Sequence, residues 1–67
     1  MLKWKIDVWK VLEAEGINMY QLKKKGGIGQ QTAEYLKAGQ TNVSLKTVDA
    51  LCRMLKLQPG DLLEYEE

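Results

Sequence analysis

The sequence predicts an all-α fold, a compact bundle of five short helices, and three observations carry that reading. Glycine and proline punctuate the chain at Gly16, Gly26-Gly27, Gly29, Gly39 and Pro59-Gly60, leaving pieces the length of short helices. Within those pieces the apolar residues recur at helical spacing, and no stretch alternates with period two for long enough to predict a strand. At 67 residues the chain holds one small core, so it is read as a single domain over residues 1–67.

The first helix is expected over residues 5–15. Val8, Val11, Leu12 and Glu15 follow the i, i+3, i+4, i+7 pattern, Trp9 widens the stripe, and Gly16 supplies the stop. The second is expected over residues 19–25. Asn18 is a good N-cap, Gln21 can complete a capping box, and Lys23, Lys24 and Lys25 suit the negative end of the helix dipole before Gly26-Gly27. The third runs over residues 30–38, with Gly29 as a tolerable N-cap and Gly39 as its terminus. The fourth follows Ser44, with Leu45, Val48, Leu51, Cys52 and Leu55 as a buried stripe. The fifth is short: Pro59 suits its first position and Leu62-Leu63 close the core.

Composition excludes several functions. There is no histidine, which removes the commonest general base and metal ligand. No nucleophile–base pair or metal set can be assembled, so the chain is read as no enzyme, with no cofactor, no metal and no evident small-molecule ligand. The single cysteine, Cys52, lies in an apolar stretch and reads as a small buried hydrophobe. No apolar run approaches the roughly 18 residues of a membrane span, and Met-Leu-Lys-Trp is no signal peptide, so no membrane partner and a cytoplasmic location are expected. Trp4 and Trp9 read as core or core-edge packing. Charge is uneven. Residues 1–60 carry a net +5, whereas the last seven carry a net −4 through Asp61, Glu64, Glu66 and Glu67, read as an acidic frayed tail. A basic body permits nucleic-acid binding.

The segment Gly26-Gly-Ile-Gly-Gln-Gln-Thr-Ala-Glu-Tyr-Leu-Lys-Ala-Gly39 is the informative one. As a dinucleotide-binding loop it fails, because Gly27-Ile28-Gly29 lacks the third glycine and no strand precedes it. A short helix, a glycine turn and a second short helix form a helix-turn-helix over residues 18–39. Gly27 then supplies the left-handed turn residue, and Ile28 plugs the corner. Ala33 and Leu36 face inward, leaving Gln30, Gln31, Glu34 and Tyr35 outside with Lys37 above. Glutamine can pair bidentately with adenine in the major groove, threonine can reach a base or a phosphate, and tyrosine can bond phosphate or pack on sugar. For Glu34 the preferred expectation is repulsion by phosphate or an intramolecular partner such as Lys37.

From Asn18 to Gly39 the chain resembles the helix-turn-helix of the phage-repressor (Cro-like) family of bacterial regulators. The flanking segments, Val8–Ile17 and Asn42–Tyr65, are similar to the first, fourth and fifth helices of a short single-domain subfamily, so the likeness covers nearly the whole chain. The resemblance implies a lambda-repressor-like DNA-binding domain of bacterial or phage origin. It implies a sequence-specific transcriptional regulator, a repressor, with helix 30–38 in the major groove of double-stranded DNA. Gln30, Gln31, Thr32 and Tyr35 are the expected base readers. Asn18, Gln40, Asn42 and Lys46 are the expected phosphate anchors. A single module with so few anchors grips weakly, so a homodimer on two half-sites about one helical turn apart is expected. The sequence departs from the family pattern at Met19, where a polar residue commonly touches phosphate. With the near-neutral total charge and the exposed Glu34, that keeps open a second reading, a protein-interaction module such as an antitoxin or anti-repressor on the same scaffold.

Overall fold

The structure, a computed structural model, describes residues 1–67. In chain order it holds β1 (Leu2–Trp4), α1 (Val8–Ala14), α2 (Met19–Gly26), α3 (Gln30–Lys37), α4 (Leu45–Leu55), α5 (Pro59–Leu62) and β2 (Leu63–Tyr65). The five expected helices are present. Local chemistry starts and stops most of them. Asp7, Asn18 and Ser44 each accept a hydrogen bond from the backbone N–H three residues on, at the head of α1, α2 and α4. At α5 the Asp61 carboxylate reaches back to accept from the Gln58 N–H at 3.0 Å. The first helix is shorter than expected, because Asp7 caps it and residues 5–6 belong to the approach from β1.

All five helices feed one core. Val8 and Leu12 from α1, Leu22 from α2, Ile28 from the turn, Ala33 and Leu36 from α3, Ala50 and Leu51 from α4 and Leu62 from α5 form a single buried cluster. Trp4 and Trp9 are half-buried and packed against it. Each fully buried leucine or isoleucine contributes roughly 1.5–3 kcal/mol of transfer free energy, so this cluster dominates the stability of so small a chain.

Three expectations need correction. The fold is mostly helical rather than all-α. β1 and β2 pair antiparallel, with Leu2 opposite Tyr65, Lys3 opposite Glu64 and Trp4 opposite Leu63. Three-residue strands are too short to show alternation, and their pairing joins opposite ends of the chain, so periodicity cannot reveal them. The acidic end is not a loose tail: the Met1 ammonium donates to the Glu66 carbonyl at 2.7 Å, and the Glu66 N–H donates to Met1 O at 2.8 Å. Lys3 Nζ lies 3.3 Å from Glu64 and 2.9 Å from Glu66. Leu45, placed by spacing on the buried stripe, is 86% exposed. It is the first residue of α4, and the helix extends one turn beyond the core there. No helix is long and apolar enough to cross a membrane.

Candidate nucleic-acid interface

The corner between α2 and α3 is built as its residues require. Gly27 takes φ 64°, the left-handed conformation, and its N–H donates to the Lys23 carbonyl. The next N–H, of Ile28, reaches back to the Leu22 carbonyl at 3.2 Å, and the Ile28 side chain is buried in the corner. At Gly26 the constraint is space. A Cβ there would stand 2.9 Å from Met54 Cε, so the end of α2 and the side chain of α4 approach through the missing side chain. The hydrophobic cluster therefore sets the angle at which α3 leaves the body.

α3 presents the expected face. Ala33 and Leu36 are buried, Gln30, Gln31 and Glu34 are exposed, and Thr32 and Tyr35 are half-buried. Gln31 Nε2 donates to the Tyr35 hydroxyl at 3.2 Å, one turn along the helix. That bond holds the Gln31 amide in a defined orientation and leaves its Oε1 free to accept. Gln30 stands in the same first turn without such a tether. Glu34 forms no ion pair. Lys37, its expected partner, lies over the Trp9 ring instead, 5.3 Å from the centroid. The cation is thus held at the α1–α3 contact, and Glu34 is left as a free carboxylate on the exposed face.

The expected phosphate anchors surround this helix in chain order. Asn18 Oδ1 accepts from the Gln21 N–H at 3.0 Å, so capping orients the amide and leaves its Nδ2 donors for an outside acceptor. Gln40 and Asn42 are exposed in the loop after α3, and Lys46 is exposed in the first turn of α4. Met19, at the head of α2, is 38% exposed, and its neighbour Tyr20 is 68% exposed. Tyr20 carries Lys24, whose Nζ sits 5.4 Å from the ring centroid and 3.4 Å from the hydroxyl.

One contributor is absent from the sequence reading. Trp4 Nε1 donates to the Gln40 carbonyl at 2.8 Å, and the Thr41 hydroxyl donates to the Leu2 carbonyl at 3.4 Å. The β-ribbon therefore grips the loop that carries Gln40 and Asn42. Only the indole N–H, a donor that seeks a partner when its ring packs on a core, hinted at it.

Residues 7–67 match the family model described as the Cro/C1-type HTH DNA-binding domain. The chain is 33% identical over 61 residues to the uncharacterized HTH-type transcriptional regulator YozG of Bacillus subtilis (strain 168), covering 90% of this chain and 73% of that protein. Among solved structures it is similar to the transcriptional regulator VanUg, with a TM-score of 0.66 and 26% identity over 94% of this chain and 84% of that one.

Proposed function

This chain belongs to the Cro/C1-type helix-turn-helix DNA-binding domain family, and we propose that it is a sequence-specific transcriptional regulator that represses by inserting α3 into the major groove of double-stranded DNA. The observation that carries the reading is the exposed polar first turn of α3, Gln30 and Gln31, projecting from a corner that Gly27 and Ile28 hold rigid. Gln30 and Gln31 pair with base edges, adenine being the base whose N6 and N7 match an amide. Thr32 and Tyr35 contribute from the half-buried flank. Tyr35 acts first by orienting Gln31. Asn18, Gln40, Asn42 and Lys46 grip phosphates and set the register. Two copies occupy two half-sites about one helical turn apart. The regulator acts in the cytoplasm without cofactor or catalytic activity.

Selection of bound duplexes from a random pool, followed by titration of the wild type, Gln30→Ala and Gln31→Ala, tests this. Each substitution should cost about 1–3 kcal/mol on the selected site and relax preference at one base position. Lys46→Ala should weaken binding uniformly across sequences and flatten the salt dependence. Equal binding of selected and random duplexes by all four proteins would overturn base reading by α3.

A second reading rests on the surface beside α3. Met19 and Tyr20 are exposed at the head of α2, and Glu34 stands unpaired on α3. These features suit a protein partner, as for an antitoxin or anti-repressor. Under that reading Glu34→Gln leaves partner binding weakened and no duplex is selected, whereas under DNA reading the same substitution strengthens duplex binding by removing a repelled charge.

A further inference from the structure

Gln31 and Tyr35 stand one turn apart on α3, and Gln31 Nε2 donates to the Tyr35 hydroxyl at 3.2 Å. The ring of Tyr35 is half-buried and Gln31 is exposed, so the tyrosine is the better fixed member of the pair. No comparable bond reaches Gln30: the hydrogen bonds between side chains join Tyr20 to Lys24, Gln31 to Tyr35 and Ser44 to Thr47. A hydroxyl has one proton and two lone pairs, and can meet an amide in either sense. Where it donates to Oε1, the amide turns its N–H groups outward. Where it accepts from Nε2, as here, Oε1 and the second amide hydrogen stay free and the tyrosine keeps its own proton. The two senses read different bases. Oε1 beside an N–H matches the N6 and N7 of adenine, whereas outward N–H groups alone match the O6 and N7 acceptors of guanine.

What chooses between the two senses is the destination of the Tyr35 proton. With α3 in the groove by its first turn, Tyr35 stands about 6 Å farther along the helix axis than Gln31. That step carries the hydroxyl from the base edges toward the strands that wall the groove, where phosphate oxygens lie. A phosphate oxygen accepts and has no proton to give. A Tyr35 that donates to phosphate can therefore only accept from Gln31. We propose that Tyr35 is a positioning residue that couples a phosphate contact to base choice: phosphate takes the hydroxyl proton, the hydroxyl takes one amide hydrogen bond from Gln31, and Gln31 is left in the sense that reads adenine. Gln30, outside this chain of bonds, reads its base without it. The inference rests on insertion of α3 into the groove, and adds to it which glutamine is held to one base and by what.

Duplexes selected by the wild type are titrated again with Gln30→Ala and Gln31→Ala to find the base pair that each glutamine reads. All four base pairs are then placed at both positions and titrated with the wild type and with Tyr35→Phe, which keeps the ring and loses the hydroxyl. Thermal melts verify folding. The wild type should prefer adenine to guanine at the Gln31 position by about tenfold or more. Tyr35→Phe should reduce that preference to about threefold or less and leave the preference at the Gln30 position unchanged. A merely structural loss lowers affinity for every duplex alike and moves neither preference. Single phosphates are next replaced by methylphosphonates, which lose the charge and an acceptor oxygen. One replacement should relax the wild-type preference at the Gln31 position and leave that of Tyr35→Phe where it was. The proposal is overturned if the wild type prefers guanine there, if Tyr35→Phe keeps the wild-type preference or relaxes both positions equally, or if no replacement acts on the wild type alone. Any of these outcomes, with duplexes still selected, leaves base reading by α3 standing. A wild type that selects no duplex overturns the DNA-binding reading itself, and the relay with it.

Discussion

Gly27 and Lys56 occupy the same left-handed region, at φ 64° and 58°, and only one of them is a glycine. An L-residue there brings Cβ against the following carbonyl, at about 1–2 kcal/mol. Lys56 bears that strain because it ends α4: its own N–H donates to the Cys52 carbonyl, as does that of Leu57 at 3.1 Å. At Gly27 a Cβ would meet nothing within 4 Å, so substitution there tests backbone strain alone. Gly27→Ala should therefore lower stability by about 1 kcal/mol and Lys56→Gly should raise it by a similar amount. In a domain of this size each corresponds to a melting shift of about 4–8 °C, in opposite directions. Shifts in the same direction for the two variants would show that the turn residues are not strained as described. At this scale the sequence was most legible. Gly27, Ile28, Asn18 and the inward pair Ala33 and Leu36 all stand where residue chemistry placed them.

Elements built from contacts close in sequence were readable for the same reason, and the β-ribbon was not. Leu2-Lys3-Trp4 and Leu63-Glu64-Tyr65 each read apolar, charged, apolar, and Lys3 faces Glu64 across the pair. Neither triplet is long enough to declare itself, and a strand of three residues has no meaning before its partner is known. The same blindness affected α4, whose spacing put Leu45 on the inner stripe although the core ends a turn earlier. The ribbon bears on the candidate interface through Trp4. Trp4→Phe keeps the ring on the core and removes the 2.8 Å donation to the Gln40 carbonyl. It should cost about 1 kcal/mol of stability. It should also weaken binding to selected and random duplexes by the same factor, because the loop it holds carries the proposed phosphate anchors Gln40 and Asn42 and none of the proposed base readers. Fluorescence anisotropy on both duplexes checks this, and a loss confined to the selected site would place Trp4 in base reading instead.

At the scale of the whole molecule, charge and pH meet at the two termini and at Cys52 on α4. The acidic end is drawn onto the N-terminal strand, where Glu64 and Glu66 both pair with Lys3, while Asp61 is held at the head of α5. Hydrogen bonds from Lys3 to Glu66 and then Glu64, with the charge of Glu64, raise the Lys3 pKa. Burial, and then the charges of Asp49 and Asp61, raise that of Cys52. A raised pKa means that the folded state holds its proton more tightly than the unfolded state. The resulting stability is complete below the unfolded pKa and is lost as pH rises through the folded one. For Cys52 the loss therefore begins above the ordinary thiol range, and for Lys3 only at the higher pH of the ordinary lysine range. Melting temperature should be unaffected by these groups near neutrality and should fall on the alkaline side. Cys52→Ala should remove the earlier part of that fall and Lys3→Met the later part. Alkylation of Cys52 should likewise be slower than that of an unstructured thiol at the same pH.

The sequence by itself determined the helices, their caps, the glycine corner and the polar turn of α3, because each depends on neighbours within a few residues and on the side-chain periodicity of one element. It thereby determined the family and the class of partner that Gln30 and Gln31 suit. Only the tertiary structure decided the ribbon joining the termini, the capture of Lys37 by Trp9 that leaves Glu34 unpaired, the hold of Trp4 on the Gln40 loop, and the exposure of Leu45. Each is a choice among partners distant along the chain. Such a choice is made when the hydrophobic core brings those groups within bonding distance, and no local pattern records it.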